Sequence, residues 1–280
     1  MEPRSPAVFV IPVFNQVEYT RQCLDSLLAD GVPAAEVVVV DNASTDGTRE
    51  LLGSRPGLHV IANDGNLGCS AAWNQGVEAA ATLRAEWVIV LNNDVVVGPG
   101  FRDGLLAFAA ESGCQVVSPA MGEGELDYDL ASFAEVHRRA LGSASRGGIA
   151  TGVCFMVHHT VFARIGSFDT KLGLAGYEDE DFFRRASAAG FRLATTGRAY
   201  LHHYGSVTQK SVKAGMGAPR SARLGDRDHF RRKHGLHWLR RKVEKLRAAA
   251  RRAYWIWSER RRGGLTLRLR RVGGAWRAGP

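Results

Sequence analysis

The sequence predicts an α/β fold built on a doubly wound, mostly parallel sheet with flanking helices, because short apolar strands alternate with helical segments. Residues 7–13 and 37–40 are continuous, apolar and rich in β-branched side chains, which is typical of parallel strands buried on both faces. Residues 18–30, between them, carry apolar side chains at helical spacing, and Gly31 ends this pattern. In such a sheet, ligands bind at the carboxyl ends of the strands.

The same alternation continues along the chain. Residues 58–61 and 87–91 are predicted strands, and residues 70–83 have the spacing of a helix between them. Residues 122–148 are rich in Gly, Ser and charged residues, so we expect a loop or flap there. A further helix is predicted over residues 180–189.

Charge is distributed unevenly along the chain. The 280 residues carry a net charge of +9, but residues 220–280 hold 20 Lys and Arg against 4 Asp and Glu, whereas residues 1–219 hold 17 against 24. We therefore predict a disordered N-terminus at residues 1–6, one α/β domain at residues 7–215, and a basic, amphipathic helical extension at residues 216–280. A segment of this charge usually meets an anionic partner.

The extension has more than one interpretation. Its apolar residues recur at helical spacing from Leu236 to Trp257 in a basic background. The stripe could pack against the domain, or it could lie on an anionic membrane surface with its aromatic side chains at the head-group boundary. Nucleic-acid binding is a third interpretation, but no recognised nucleic-acid-binding motif accompanies the charge.

Cysteine usage and hydropathy indicate a cytoplasmic location. None of the four cysteines forms a CxxC pair, which favours free thiols in a reducing compartment over disulfides or a zinc site. No segment reaches the roughly 20 apolar residues that a membrane span needs, and no signal peptide is recognisable at the start.

Three acidic residues lie at predicted strand ends or at a helix start. Asp41 could accept the imide N–H of a uracil or thymine ring, or it could cap the following helix. Asp94, at the end of the sequence Asn92-Asn93-Asp94, could hold a divalent cation together with diphosphate oxygens, or bond its own turn. Asp179 is one of four consecutive carboxylates, whose repulsion raises a pKa and favours a general base; the alternative is a solvated acidic helix cap.

A glycine-containing loop precedes the predicted helix at residues 70–83. Gly65 and Gly68 let the backbone approach a ligand closely, and the helix N-terminus offers N–H groups to phosphate or ribose. The spacing matches neither GxGxxG nor GxxxxGK[ST], so a dinucleotide site and a P-loop are both unsupported. Further along, His202 and His203 are usually structural residue types, but either could bind a metal together with an upstream carboxylate.

The order of these motifs resembles that of the family 2 glycosyltransferases of the GT-A fold, especially the bacterial rhamnosyltransferase-like members. The resemblance extends over about residues 7–210. The matching stretches are residues 10–15, 40–48, 66–68, 74–76, 91–94, 151–157, 166–169, 178–182 and 202–206.

The resemblance implies roles for individual residues. Asp179 is the expected general base and Asp41 the expected base-reading carboxylate. Asp94 is the expected metal ligand, joined by His203 or His202, of which His203 is favoured. The implied donor-binding residues are Pro12, Phe14, Asn15, Asp41, Asn66, Gly68, Asn74 and Asn93, and the implied acceptor-binding residues are Gly152, Glu178 and Asp181.

The expected function is that of an inverting glycosyltransferase that depends on Mn²⁺ or Mg²⁺. We expect a UDP- or dTDP-linked sugar as donor and a hydroxyl group of a glycan or lipid-linked acceptor, in cell-surface polysaccharide synthesis, with no nucleic-acid partner. Two alternatives are a non-catalytic, transferase-like binding protein and a sugar-nucleotide pyrophosphorylase. The latter would be expected to carry a basic, Gly-rich loop after the first strand, whereas residues 14–18 contain no Lys, Arg or Gly.

Overall fold

The computed structural model describes residues 6–205, 207, 212 and 224–279. Apart from Pro6, the predicted disordered N-terminus lies outside the described residues, and so does the predicted boundary between residues 215 and 216. Within the described part, strands and helices alternate as the sequence predicts.

The described residues form eleven strands and nine α-helices. The strands are β1 (Ala7–Val13), β2 (Val37–Asp41), β3 (His59–Ala62), β4 (Trp87–Leu91), β5 (Val95–Val97), β6 (Val116–Glu123), β7 (Ser145–Gly147), β8 (Cys154–His158), β9 (Leu193–His203), β10 (Arg268–Val272) and β11 (Ala275–Ala278). The helices are α1 (Val17–Ala29), α2 (Thr48–Gly53), α3 (Cys69–Thr82), α4 (Phe101–Ser112), α5 (Leu130–Leu141), α6 (His159–Ile165), α7 (Glu178–Ala188), α8 (Arg227–Lys233) and α9 (Trp238–Arg260). Short 3₁₀ turns occupy Ala34–Glu36 and Thr170–Leu172.

The strands join in one sheet with the order β11-β10-β6-β8-β4-β1-β2-β3, and β9 lies beside β6 and also pairs with β5 and β7. Strands β1 to β4 are parallel to their neighbours within this group, whereas β8 is antiparallel to both β4 and β6. The predicted α/β class with a doubly wound, mostly parallel sheet is therefore confirmed.

Both faces of β1 are buried. Phe9 and Ile11 pack in the cluster that contains the buried side of α1, whereas Val8 and Val10 pack with α3 on the opposite face. Helix α3 comes so close at Gly76 that a Cβ there would lie 2.1 Å from Cγ1 of Val10. Because a side chain cannot fit without displacing the strand, this glycine fixes the position of α3, whose N-terminus lies at the strand ends.

The predicted loop or flap at residues 122–148 is wrong, because α5 and β7 occupy much of it. Ala134 and Leu141 are buried at helical spacing, and the carboxylate of Asp129 caps the helix by accepting a hydrogen bond from the N–H of Ser132. His137 is also fully buried, and Leu130, Phe133 and Ala140 are half-buried against the same cluster. The Gly, Ser and charged residues on either side of this stretch concealed its helical period.

The prediction of a wholly helical extension is also wrong. Helix α9 covers most of the predicted helix at residues 236–257, but residues 268–278 form the hairpin β10–β11, and β10 pairs parallel with β6. Gly273 and Gly274 join the two strands, with φ of 54° and 74°, as a two-residue hairpin turn requires. This Gly-Gly pair was the sequence signal for the hairpin, but the many arginines around it suggested a solvated helix.

A buried ion pair ties α9 to the sheet. Arg146, in β7, donates from Nε and Nη2 to the two carboxylate oxygens of Glu259 at 2.8 and 2.9 Å, and both side chains are almost fully buried. The N–H of Leu267 donates to the same carboxylate at 2.8 Å. The C-terminal end of α9 is therefore part of the folded domain. In the described ranges, no helix combines the length and apolar character needed to cross a membrane.

We predict that Glu259→Gln lowers the free energy of unfolding by about 3–5 kcal/mol, because it leaves the buried guanidinium of Arg146 without its counter-charge. Urea unfolding followed by circular dichroism measures this change. The double variant Arg146→Met, Glu259→Leu should be more stable than Glu259→Gln, since it removes both charges together. A cost below about 1 kcal/mol for the single variant would contradict this account.

Candidate active site

A cavity of about 260 Å³ opens at the carboxyl ends of β1 and β4, beside the N-termini of α3 and α7. The structure brings nine of the fifteen predicted site residues to its wall: Pro12, Phe14, Asn66, Asn93, Asp94, Gly152, Glu178, Asp179 and His203. Parallel strands place their ends at one edge of the sheet, which explains why residues far apart in sequence meet there.

Asp94 follows β4 and faces His203, the last residue of β9. Asp94 Oδ1 lies 3.4 Å from His203 Nε2, and Asp94 Oδ2 accepts a hydrogen bond from the N–H of Val207 at 2.9 Å. The neighbouring Asn93 is held by a hydrogen bond from its side-chain amide to the hydroxyl of Thr20 at 2.9 Å. Both Asp94 and His203 are almost completely buried.

Hydrogen bonding and opposite charges set the pKa values of this pair. Burial lowers the pKa of His203, but hydrogen bonds with Asp94 and Glu123 and the charges of both carboxylates outweigh it and raise the pKa to about 9. Burial opposes ionisation of Asp94, yet its hydrogen bond with His203 and the charge of that ring hold its pKa below the usual range. The contact with His203 therefore favours the ionised form of Asp94.

The donor set fits a hard divalent cation. Neighbouring ligands of an octahedral ion such as Mg²⁺ lie about 3 Å apart, which is close to the 3.4 Å between Asp94 Oδ1 and His203 Nε2. Among the described residues, no group of three or more His, Cys, Asp or Glu could hold a metal. Diphosphate oxygens and water would complete the coordination, as carboxylate sites for Mg²⁺ commonly use.

The prediction that His202 could be the metal ligand is wrong. Successive residues of a strand point to opposite faces, so His202 faces away from the cavity that His203 lines. Its Nε2 donates to the carbonyl of Gly124 at 3.1 Å, and its Nδ1 accepts from the hydroxyl of Tyr128 at 3.0 Å. With both nitrogens occupied, burial lowers the pKa of His202 to about 4, and the ring is neutral and structural.

Glu178 and Asp179 open helix α7 and both face the cavity. Burial, together with the charge of Asp179, raises the pKa of Glu178 to about 7. Burial likewise raises the pKa of Asp179, although the N–H of Glu180 donates to its Oδ1 at 2.8 Å. Asp179 is thus a carboxylate with increased proton affinity beside the cavity, as a general base requires.

Gly152 makes room for Asp179. A Cβ at residue 152 would lie 2.3 Å from Asp179 Oδ2, so any larger residue would displace this carboxylate. The structure therefore gives Gly152 a steric role in placing the predicted base, whereas its predicted contact with an acceptor stays a prediction.

Asp181 lies outside the cavity, contrary to the expectation that it contacts the acceptor. Two residues further along α7 than Asp179, it points to a different side of the helix. It is fully buried and accepts from Arg185 at 2.8 Å, Lys233 at 2.8 Å and His234 at 2.9 Å. Asp181 therefore connects α7 with α8 and has no oxygen facing the cavity.

Asp41 is fully buried beneath the cavity wall. Its Oδ2 accepts from Nε of Arg49 at 2.7 Å, and its Oδ1 accepts from the N–H of Ser44 at 3.1 Å. These contacts fit the alternative in which Asp41 stabilises the local turn. Each carboxylate oxygen can accept a second hydrogen bond, so its role in reading the base stays a prediction.

Three other predicted donor-binding residues shape the loops around the cavity. Asn15 Oδ1 accepts from the N–H of Thr45 at 2.7 Å. Asn74 forms two hydrogen bonds with the backbone of Phe168, at 2.9 and 3.0 Å. Gly68 has φ of +85°, and a Cβ there would lie 3.1 Å from the backbone of Leu174. The structure thus places all three in supporting positions.

Sequence reasoning missed several cavity residues. Asn42, Cys69, Thr151 and Leu174 all line the wall, yet each is an ordinary polar or apolar residue in a loop or at an element start. Asn42 and Thr151 had a signal, since they lie in the matching stretches at residues 40–48 and 151–157. Leu174 comes close only because the loop after the second 3₁₀ turn folds back onto α3, which residue types alone do not reveal.

The chain is similar in sequence to known glycosyltransferases. The sequence profile of the family described as Glycosyl transferase family 2 matches residues 8–166. Glycosyltransferase AglE of Haloferax volcanii is 26% identical over 225 residues, which cover 74% of this chain and 71% of that protein. N-acetylglucosaminyl-diphospho-decaprenol L-rhamnosyltransferase of Mycobacterium tuberculosis is 26% identical over 249 residues, which cover 75% of this chain and 81% of that protein.

A solved structure supports the fold. The crystal structure of GalNAc-T7 with UDP, GalNAc and Mn²⁺ aligns with a TM-score of 0.56 at 15% identity, over 71% of this chain and 43% of that one. At this identity the likeness shows the fold alone, and it confirms the predicted GT-A fold. This chain spans less than half of that structure's length.

We predict that Glu178→Gln raises the free energy of unfolding at pH 8 and leaves it nearly unchanged at pH 4. Because the pKa of Glu178 is raised from 4.5 to about 7 on folding, the wild-type carboxylate costs stability above pH 7. This cost disappears as the pH falls through 7 towards 4.5, where folded and unfolded states both bind the proton. The expected gain at pH 8 is about 1–3 kcal/mol.

Urea unfolding at the two pH values measures this difference. Glu180→Gln, at an exposed position of the same helix turn, is the matched control and should show no comparable dependence on pH. An equal effect of Glu178→Gln at pH 8 and pH 4 would contradict the proposed cost of burying the carboxylate.

Proposed function

Because the chain belongs to glycosyl transferase family 2, we propose that it transfers a sugar from a nucleotide diphosphate donor to a hydroxyl group of an acceptor, with inversion at the anomeric carbon. The observation that carries this proposal is that one cavity contains both the pair Asp94 and His203 and the carboxylate of Asp179. A cation site and a general base are the two chemical elements that such a displacement needs.

Asp94 and His203 would hold Mn²⁺ or Mg²⁺. When bound, the ion would neutralise the negative charge of the diphosphate leaving group. GalNAc-T7 was crystallised with UDP and Mn²⁺, which is consistent with such a site on this fold. We propose a uridine or thymidine nucleotide, read by Asp41 through the lone pairs that Arg49 and Ser44 leave available.

Asp179 is the proposed base. Its carboxylate takes the proton of the acceptor hydroxyl while the hydroxyl oxygen forms a bond to the anomeric carbon. The bond from that carbon to the diphosphate oxygen breaks on the opposite face, so configuration inverts in one step. The raised pKa of Asp179 increases its affinity for the proton.

The proposed acceptor is a glycan or lipid-linked hydroxyl in cell-surface polysaccharide synthesis. The similar protein of Mycobacterium tuberculosis is named for a diphospho-decaprenol acceptor, which supports a lipid-linked acceptor here. Glu178, beside Asp179 on the cavity wall, is the residue that we propose to contact the acceptor.

We predict that Asp179→Asn lowers turnover by roughly 10²-fold or more, because the amide cannot take the proton of the acceptor. Binding of UDP in the presence of Mn²⁺ should remain unchanged, since Asp179 is not among the proposed donor ligands. Release of nucleoside diphosphate from a panel of UDP- and dTDP-sugars measures turnover, and calorimetry measures nucleotide binding. Near-normal turnover would assign the base to another residue, with Glu178 the first candidate.

We also propose that helix α9 holds the enzyme at an anionic membrane surface, on the cytoplasmic side. Its apolar stripe does not pack against the described part of the domain. Within the stripe, Leu239, Leu246 and Trp257 are 58%, 72% and 54% exposed, and Tyr254 is exposed as well. Trp238, beside the stripe, is also exposed. The interpretation in which the whole stripe is buried therefore does not fit the structure.

The charges of α9 favour an anionic lipid partner. Its basic residues are Arg240, Arg241, Lys242, Lys245, Arg247, Arg251, Arg252 and Arg260. Its two acids are engaged, since Glu244 pairs with Arg184 at 2.9 Å and Glu259 pairs with the buried Arg146. An apolar stripe with exposed aromatic residues and basic flanks is the pattern of a helix lying in a head-group region.

We predict that the full-length protein co-sediments with phosphatidylglycerol vesicles at low salt and not with phosphatidylcholine vesicles. Leu246→Glu should weaken this binding about tenfold, since it replaces an apolar contact by a charge repelled by the lipid. Val136→Glu, at an exposed apolar position of α5, is the matched control and should bind like the wild type. Absence of binding to anionic vesicles, or preferential binding to duplex DNA, would overturn the proposal.

A further inference from the structure

Glu123 takes no part in the proposed reaction, yet it lies beside His203, one of the two proposed metal ligands. It is the last residue of β6, and at this end β6 is paired with β9 on one side and β10 on the other. Glu123 is in register with His203 of β9 and with Arg270 of β10. Residues in register on neighbouring strands point to the same face of a sheet. His203 lines the cavity, whereas Glu123 and Arg270 line the neighbouring cleft, so Glu123 approaches His203 from the side away from the cavity.

The two nitrogens of His203 face different carboxylates. Glu123 Oε2 lies 3.7 Å from Nδ1, whereas Asp94 Oδ1 lies 3.4 Å from Nε2. When a cation shared with Asp94 takes the place of the proton on Nε2, the remaining ring proton is on Nδ1. The carboxylate of Glu123 faces that nitrogen and stabilises this form of the ring.

Without Glu123, the carboxylate of Asp94 alone would act on the ring of His203. A carboxylate that faces Nε2 favours a proton on Nε2, and this proton would compete with a cation for the same position. The carboxylate of Glu123 also limits rotation of the ring about its side-chain bonds. A partner of this kind typically changes metal affinity by 10- to 100-fold.

We propose that Glu123 is a positioning residue that fixes the orientation and tautomer of His203 for binding a divalent cation. The inference rests on the proposed function, because it needs a cation at Asp94 and His203. The C-terminal hairpin β10–β11 would then support the site through its pairing with β6. Strand β10 pairs with β6 up to Glu123 and places Arg270 next to it, so the hairpin holds the strand that bears the positioning carboxylate.

The test measures Mn²⁺ affinity in the presence of UDP, by electron paramagnetic resonance of free Mn²⁺, on the full-length protein. Asp94→Ala and His203→Ala establish whether the cation binds at the proposed pair. Glu123→Ala should weaken Mn²⁺ binding 10- to 100-fold, and Glu123→Gln should weaken it less, because a partly negative amide oxygen can still face Nδ1. Glu125→Gln, an exposed carboxylate two residues further along, is the matched control and should bind Mn²⁺ like the wild type.

A second readout separates positioning from a general loss of structure. In the complex with diamagnetic Mg²⁺ and UDP, nitrogen NMR should show the His203 ring with its proton on Nδ1, and a smaller share of this form in Glu123→Ala at the same Mg²⁺ concentration, with unchanged thermal unfolding. If Asp94→Ala and His203→Ala weaken Mn²⁺ binding but Glu123→Ala does not, the positioning role is wrong while the metal site stands. If none of the three changes Mn²⁺ affinity, the proposed metal site itself is wrong, and this inference falls with it.

Discussion

The parallel pairing of β1 with β2 on one side and β4 on the other is the constraint on which the site depends. Val10 of β1 is in register with Val38 and with Val90, and all three side chains are fully buried. This register aligns the carboxyl ends of the three strands. Because helices pack on both faces of these strands, a slip in register would break the close fit of Val10 against Gly76 of α3, so the packing of the sheet also fixes where Asp94 emerges from β4.

The sequence was sufficient for the first half of the fold because local pattern and tertiary environment agree there. Continuous β-branched runs are buried on both faces, and the helices between them have one apolar side. Local pattern and tertiary environment disagree in segments that are rich in charged residues. Helix α5 was missed because Gly, Ser and charged residues surround its apolar stripe, and the hairpin β10–β11 because arginines occupy its exposed positions. In both, a few buried residues such as Leu141 and Leu269 set the structure.

The position of a site residue could be predicted where it follows from the strand or helix that carries the residue. Asp94 and Asp179 lie at an element end facing the cavity, and strand alternation alone distinguishes His203 from His202. Asp181 was misassigned because the acidic run was treated as one group, although a helix turns each residue by about 100°. Glu123 could not have been found from the sequence, since its contact with His203 depends on pairing between β6 and β9.

The docking of β10 on β6 also has a consequence for the order in which the molecule folds. The two strands are separated by just over half of the chain, so their pairing requires the closure of a very long loop, and contacts of this kind form late and slowly. Until then, the end of β6 that bears Glu123 has an open edge with unsatisfied backbone groups. Open edges pair readily with other chains, so we expect newly made protein to be most prone to aggregation while this one pairing is incomplete.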